Sequence, residues 1–271
     1  LIIVQNYFTK VFPEASIKMD ITKDEAGIIA EKFLANRGHD IAGYMQATRF
    51  GYLNEAKEFL EFELPADSAG KILNSTNSYY WRNRWFIPEQ KEEFWVKIST
   101  TGNLAEFDHR IDENAPGDSL TQENAKNIAQ FFLIGSIGIE MDDWEPVEAK
   151  TEKQNNRWDH KFEWKEKSFN IHEGTHRITV KVQGSAVDYY NEWIKVPDTW
   201  KRKYEKIRSK NDLLSSIGGT VLQLTLLLIF IMIFVRSRKK DIRWKTAFIY
   251  GGIAGVLILL IQLNNLPLDM Y

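Results

Sequence analysis

No cysteine occurs among the 271 residues, and this absence limits the chemistry open to the chain. Without thiols the chain forms no disulfide framework, holds no metal through thiolates and uses no cysteine nucleophile. The compartment stays open, because many proteins outside the cytoplasm also lack cysteine. The sequence also lacks the G-x-x-x-x-G-K-[ST] phosphate-binding loop, the G-x-S-x-G nucleophile motif and a dinucleotide-binding fingerprint.

Charge is scarce at the C-terminal end of the chain. Residues 1–212 hold 29 basic and 35 acidic residues, whereas residues 213–271 hold six basic and two acidic ones. The N-terminal part is therefore mildly acidic, which argues against a nucleic-acid partner. With 27% charged and 44% hydrophobic residues, the chain differs from disordered and collagen-like sequences. A hydrophilic folded body followed by an apolar tail is the simplest interpretation.

Two long runs without Asp, Glu, Lys, Arg or His mark this tail, at residues 217–235 and 246–263. A helix rises about 1.5 Å per residue, so each run is roughly long enough to cross a ~30 Å hydrocarbon core. The alternative, two buried core helices, is disfavoured because core helices rarely stay uncharged over this length. We expect two transmembrane helices that contact the lipid bilayer and are joined by a basic loop at residues 236–245.

The orientation in the membrane follows from the position of the basic residues. The loop at 236–245 is strongly basic, but the predicted stalk helix at 198–216 carries as many basic residues just before the first span. Large domains cross membranes largely regardless of charge, so the short loop is the better indicator and should be cytoplasmic. We therefore expect a protein of the bacterial cell membrane with residues 1–212 outside the cytoplasm.

The first residues allow two interpretations. Residues 1–19 form an N-terminal lead that begins with Leu-Ile-Ile-Val. Leu1–Val4 would suit the last turn of a preceding membrane helix, and they would equally suit a short apolar start of the folded body.

An internal repeat organises the body. Ile21–Leu34 aligns without gaps to Leu120–Leu133, and the shared positions lie on one helical face: Thr22/Thr121, Ala26/Ala125, Ile29/Ile128, Ala30/Ala129, Phe33/Phe132 and Leu34/Leu133. Each threonine is placed to accept a hydrogen bond at a helix N-terminus, and Glu25 completes a capping box in the first copy. The second copy has Asn124 instead, so its cap should be weaker.

The correspondence continues beyond the helices, pairing Gly38 with Gly138, Tyr44 with Trp144, and Phe62-Glu63 with Phe162-Glu163. Alternating apolar residues after each helix predict strands, with Leu60, Phe62 and Leu64 on one face in the first copy and His160, Phe162 and Trp164 in the second. Further alternation around Gly102 and around Gly184 predicts two hairpins. We expect an α+β fold of two tandem repeats, each one helix on a small antiparallel sheet.

These patterns set the expected boundaries: a first repeat at 20–111 with an insertion at 65–88, a linker at 112–119 and a second repeat at 120–197. The insertion is rich in Asn, Ser, Tyr and Trp. Its aromatics, Tyr79, Tyr80, Trp81 and Trp85, are candidate contacts for a peptide or carbohydrate ligand. The competing interpretation is that aromatic residues serve the strands and the core, since strands favour them.

One short motif resembles a metalloprotease signature. His172-Glu173-Gly174-Thr175-His176 satisfies H-E-x-x-H, in which two histidines on one helical face hold zinc. Gly and Thr are poor helix residues, however, and a strand-like run follows at once. The sequence favours a solvated turn over a zinc site at His172, Glu173 and His176, and it identifies no catalytic residue and no bound cofactor in this chain.

Longer stretches of the sequence resemble known protein families. The helix-plus-hairpin pattern resembles the PepSY-type extracytoplasmic module, in two copies. The runs at 84–133, 143–167 and 190–212 are similar to the N-terminal region of large bacterial CPBP-family (CAAX-protease-like) intramembrane metalloproteases. This resemblance implies a zinc-dependent endopeptidase whose Glu-Glu-x-x-x-Arg motif and histidines lie on later membrane helices. Here Glu92-Glu93 is followed by Lys97 in a predicted strand, so no catalytic residue carries over and zinc would belong to a catalytic part absent from this chain.

Two functions follow as expectations. The first is an extracytoplasmic regulatory or substrate-handling region of an intramembrane endopeptidase, with a peptide or protein as partner. The second is a non-enzymatic, membrane-anchored envelope sensor or peptide-binding module.

Overall fold

The computed structural model describes residues 17–239 and 243–269, and these divide into two units that meet between Pro197 and Asp198. The expectations for Leu1–Val4 lie outside the described residues. The first unit is an α+β body, as the sequence predicts. Its helices are α1 (Lys23–Asn36), α2 (Asn54–Glu63), α3 (Ala66–Ser75) and α4 (Gln122–Phe132).

A single antiparallel sheet of eight strands forms the centre of the body, in the order β1-β2-β3-β4-β8-β7-β6-β5. The strands are β1 (Met45–Tyr52), β2 (Tyr79–Phe86), β3 (Glu93–Ser99), β4 (Leu104–Arg110), β5 (Trp144–Lys153), β6 (Trp158–Glu166), β7 (Thr175–Gln183) and β8 (Ala186–Lys195). The predicted hairpins around Gly102 and Gly184 are β3–β4 and β7–β8.

Helices α1 and α4 begin where the sequence predicts. Thr22 accepts a hydrogen bond from the Glu25 N–H, and the Glu25 side chain accepts one from the Thr22 N–H, so the capping box is complete. Thr121 accepts a bond from the Asn124 N–H without the reciprocal partner. Both helices thus start by pairing backbone donors that would otherwise have no partner.

The core lies between these two helices and one face of the sheet. Helix α1 packs on β1, β2 and β3, and α4 packs on β6, β7 and β8. The shared face predicted from the repeat is the buried one, with Ala26, Ala30 and Leu34 in α1. The same holds for α4 and its extension: Ala125, Ala129, Phe132 and Leu133 are buried. They meet strand residues that alternate along the sheet: Phe94, Val96, Ile98, Phe107, Phe162, Trp164, Ile178, Val180, Val182 and Tyr190.

The two halves of the body share a helix followed by four strands that pair consecutively, and the first half has α2 and α3 in addition. The halves join where β4 meets β8, with Phe107 opposite Tyr190. Gly38 and Gly138, which the repeat pairs, both follow their helices in the left-handed region, at a φ of 81°. Glycine reaches this conformation without the steric cost that a Cβ imposes.

The pairing of Phe62-Glu63 with Phe162-Glu163 is wrong. Phe62 lies in α2, whereas Phe162 lies in β6. The predicted strand at Leu60, Phe62 and Leu64 is a helix because its buried residues, Ala56, Phe59 and Leu60, follow helical spacing. The extra segment of the first half is therefore α2 and α3 between β1 and β2. The predicted insertion at 65–88 instead contains α3 and the core strand β2.

The second unit consists of two long helices, α5 (Asp198–Arg238) and α6 (Trp244–Asp269). The expected stalk at 198–216 and the span at 217–235 form one continuous helix. Both helices hold apolar stretches long enough to cross a membrane, and their apolar side chains are exposed, as expected of helices that face lipid rather than a protein core.

Candidate functional site

The H-E-x-x-H motif lies on a tight turn and not on a helix. Ile171 and Gly174 exchange backbone hydrogen bonds, and between them His172 and Glu173 have φ values of 45° and 71°. A Cβ at Gly174 would lie 2.6 Å from the Phe59 ring, so this position requires glycine for space. The expectation of a solvated turn is correct for His172, whose side chain is 62% exposed.

His176 contradicts the solvated-turn interpretation, because its side chain is only 6% exposed. It is the second residue of β7 and lies between two carboxylates. Its Nδ1 is 2.8 Å from Glu166 Oε2, and its Nε2 is 2.9 Å from Glu192 Oε1. Burial opposes the charged imidazolium, but the hydrogen bonds to Glu166 and Glu192 outweigh it and raise the pKa of His176 to about 9.

No group of three or more His, Asp or Glu side chains within residues 17–239 and 243–269 is arranged to hold a metal ion. The two histidines of the motif have different neighbours. His172 Nε2 lies 3.8 Å from Glu63 Oε2, whereas the His176 ring contacts Glu166 and Glu192. The residues of the motif thus form a tight turn at His172 and part of a buried charge cluster at His176.

The aromatic candidates of the predicted insertion are used in packing. Tyr79, Tyr80 and Trp85 are 2–4% exposed, and Trp81 is half-buried with its Nε1 donating to the Ile21 carbonyl at 3.3 Å. They belong to β2, which pairs with β1 and β3 on either side. A central strand buries both of its faces more than a loop would, so the structure favours the competing interpretation that these aromatics serve the strands and the core, and their role as ligand contacts stays a prediction.

A layer of arginines around an aromatic ring lies on the sheet face opposite α1. The guanidinium groups of Arg82, Arg84 and Arg110 lie 4.9–5.5 Å from the Trp95 ring centre. Glu93 binds both Arg84 and Arg110 at 2.7 Å. The sequence signal for this layer is the alternation of arginine with Trp81, Asn83 and Trp85 along β2.

A second histidine cluster lies near the junction of the two halves. His109 binds Asp188 through Nδ1 at 3.1 Å and Glu92 through Nε2 at 2.9 Å, and the His39 ring is 4.8 Å away. Burial and the neighbouring charge of His109 lower the pKa of His39 to about 4. For His109, burial is outweighed by the bonds to Asp188 and Glu92, so its pKa rises.

Strand β5 offers a free edge of the sheet. In the part of the chain that the structure describes, it pairs only with β6, and every residue from Pro146 to Lys153 is exposed. Its charges alternate in sign at Glu148, Lys150 and Glu152, on the sheet face opposite α4. An edge strand carries unpaired backbone donors and acceptors that can template another strand.

Comparisons with known proteins add little to this geometry. No family model matches the chain, and no curated protein matches it. Among solved structures, the Bacillus megaterium YpeB C-terminal domain aligns at a TM-score of 0.38 and 12% identity, over 63% of this chain. The alignment covers 62% of that domain.

Proposed function

We propose that this chain is a membrane-anchored, extracytoplasmic module that docks an extended peptide on the β5 edge of its sheet. The observation that carries the proposal is strand β5, which pairs on one side only within the described residues and is exposed over most of its length. A peptide added to such an edge gains main-chain hydrogen bonds whatever its sequence, and side-chain contacts then set its specificity.

The charges on β5 disfavour in-register parallel pairing with a second copy of the same strand. Another copy of β5 aligned in parallel register would place Glu148, Lys150 and Glu152 opposite identical charges, which is unfavourable. A peptide with lysine, glutamate and lysine at the matching positions would instead meet an opposite charge at each one, beside the ion pairs that Glu148 forms with Lys161 and Lys150 with Glu152. Exposed pairs of this kind contribute about 0–1 kcal/mol each, so they select among peptides while the backbone bonds supply the affinity.

We further propose a role for this docking. By its resemblance to CPBP-type proteases, the module would be the substrate-handling or regulatory region of such a protease, with each half a PepSY-like unit. The matching order of elements in the two halves supports the repeat. The charge-free apolar stretches support membrane attachment next to the body. A non-enzymatic envelope sensor is the second candidate, and the titratable cluster of His109, His39, Asp188 and Glu92 favours it.

Sequence downstream of Tyr271 separates these two candidates. Further membrane helices with Glu-Glu and histidine would support the protease region, and a stop codon close to Tyr271 would support the sensor.

Hydrogen exchange on the full chain in lipid nanodiscs tests the docking step. The probe is a short peptide in which valine alternates with lysine, glutamate and lysine, so that its charges complement β5. We expect slower exchange at the amides of Val147–Lys153, because the probe pairs with backbone groups that otherwise contact water. The same peptide with methylated backbone nitrogens is the matched control and should give no protection.

A variant makes the test specific. The Lys150→Glu variant should bind the original probe more weakly. It should prefer a second peptide, in which lysine replaces the central glutamate of the probe. If neither peptide slows exchange in β5, or if the methylated control slows it equally, edge docking is wrong.

A further inference from the structure

A second place in the body has the shape of a ligand site and is separate from the edge of β5. A cavity of about 470 Å³ lies where the ends of several elements meet, which is within the size range of small-molecule sites. Both halves of the chain contribute to its wall. The lining residues are Asn77, Gly102, Asn103, Leu104, Ser136, Ile137, Ile139, Trp144 and Glu192.

One charged side chain lines this cavity, the carboxylate of Glu192, which is only 10% exposed. Its Oε1 binds His176, and its Oε2 accepts a bond from Asn77 Nδ2 at 2.7 Å and one from the Tyr190 hydroxyl at 3.5 Å. A carboxylate has about four acceptor positions, so these contacts leave capacity for another donor.

The charge around the cavity stays negative even when His176 is protonated. His176 contributes one positive charge, whereas Glu166 and Glu192 contribute two negative ones. No lysine or arginine is among the lining residues. A negative charge held in a largely buried wall attracts a cation more strongly than the same charge would in water.

The rest of the wall suits a hydrocarbon chain with an amine at its end. Leu104, Ile137 and Ile139 are apolar. The half-buried indole of Trp144 lies 5.2 Å from the His176 ring, centre to centre, and indole rings attract cations. Helix α4 continues as a π-helical turn over Leu133–Ile137, which brings Ser136 and Ile137 to the cavity. Such turns are rare and occur frequently at functional sites.

We propose that this cavity binds a primary ammonium group on a short aliphatic chain, as found at the end of a lysine side chain. Glu192 pairs with the ammonium group, Trp144 lies against it, and the apolar wall contacts the methylene groups. The proposal does not require edge docking by β5, and it goes beyond that function by assigning a separate site.

Calorimetric titration of the full chain in nanodiscs tests the assignment. The probes are Nα-acetyl-lysine N-methylamide and its uncharged counterpart, Nα-acetyl-norleucine N-methylamide, which has the same apolar chain without the amine. We expect only the lysine probe to bind. Cadaverine, a free diamine, distinguishes the source: equal binding of cadaverine assigns the site to free amines, and weaker binding assigns it to lysine in a peptide.

Two carboxylate variants give a matched pair. Both carboxylates bind His176, but only Glu192 lines the cavity. We expect Glu192→Gln to weaken lysine-probe binding at least about tenfold, because a charge-assisted bond in a buried wall is lost. Glu166→Gln should weaken binding less than Glu192→Gln does, since it also removes a negative charge beside His176 but leaves in place the carboxylate that contacts the ammonium group.

Trp144→Leu is a further variant in case Glu192→Gln does not fold, as judged by circular dichroism. It keeps both carboxylates and should weaken binding about threefold or more through loss of the cation–π contact. The proposal is overturned if the unmodified chain gives no binding heat with either amine, if the norleucine probe binds as tightly as the lysine probe, or if Glu166→Gln and Glu192→Gln weaken binding equally.

Discussion

At the scale of single residues, His176 is a buried titratable group that binds two carboxylates. Its imidazole lies between Glu166 and Glu192 at hydrogen-bonding distance to both. Removing either partner leaves a buried imidazolium with one carboxylate, which is costly in a region of low dielectric constant. This cluster therefore contributes to stability in a way that depends on pH.

The expected pH dependence follows from a pKa raised from 6.5 to about 9. The folded state binds this proton more tightly than the unfolded state, so the stabilisation is fully present below pH 6.5 and is lost as the pH rises through 9. Between these two values the free energy of unfolding should fall by about 2–3 kcal/mol. Urea unfolding of the full chain in micelles, monitored by tryptophan fluorescence at several pH values, measures this change in the free energy of unfolding.

His176→Gln provides the control for this prediction. The variant removes the titrating group, so most of the slope should disappear. A smaller slope should remain because the pKa of His109 is raised in the same direction. An undiminished slope in His176→Gln would assign the pH dependence to other groups.

At the scale of elements, the two sheet-covering helices offer a comparison within one chain. Helix α1 has a complete capping box between Thr22 and Glu25, whereas α4 has one cap bond, between Thr121 and Asn124. Thr22→Ala should lower the free energy of unfolding by about 1 kcal/mol, and Thr121→Ala by less, because only the first change breaks a reciprocal pair.

The capping prediction is checked by denaturant unfolding of both variants under one condition. Glu25→Ala and Asn124→Ala serve as controls, with a loss of stability expected for the first and almost none for the second. Equal losses in the free energy of unfolding for Thr22→Ala and Thr121→Ala would mean that the complete capping box stabilises α1 no more than the single cap bond stabilises α4.

Elements with strong local signals were predictable from the sequence. The cap threonines, the helical face that ends at Leu34 and Leu133, and the glycine turns of two hairpins each fix their element through neighbouring residues. Helix α2 was missed because three apolar residues in a short window fit a strand as well as a helix. The burial of Phe59 and Leu60 decides between them, and burial comes from contacts distant in sequence.

The candidate sites were less predictable than the elements. Glu192 and Asn77 are 115 positions apart in the sequence and meet only after folding. The turn expected at His172 is present at Ile171–Gly174, but the sequence did not indicate that His176 is buried between Glu166 and Glu192, which come from other strands. Tyr79, Tyr80 and Trp85, which the sequence analysis assigned to an insertion, lie in a strand inside the sheet.

At the scale of the whole molecule, the sheet is completed by contacts that no local pattern encodes. Each half pairs its own strands in order, and β4 and β8 then join through Glu106–Asp108 and Tyr189–Asn191. This pairing places β1 and β5 at the two edges and leaves the body connected to two apolar helices. The proposed functions require that the body faces away from the cytoplasm while these helices hold it at the membrane.

Site-specific labelling in bacterial cells tests that requirement most directly. The chain has no cysteine, so Ser119→Cys in the body and Lys239→Cys after the first span each introduce a single exposed thiol. With a maleimide that does not cross the inner membrane, we expect Ser119→Cys to be labelled in cells whose outer membrane is permeabilised, and Lys239→Cys only after the inner membrane is opened. Labelling of Lys239→Cys but not Ser119→Cys in cells with an intact inner membrane would contradict the account.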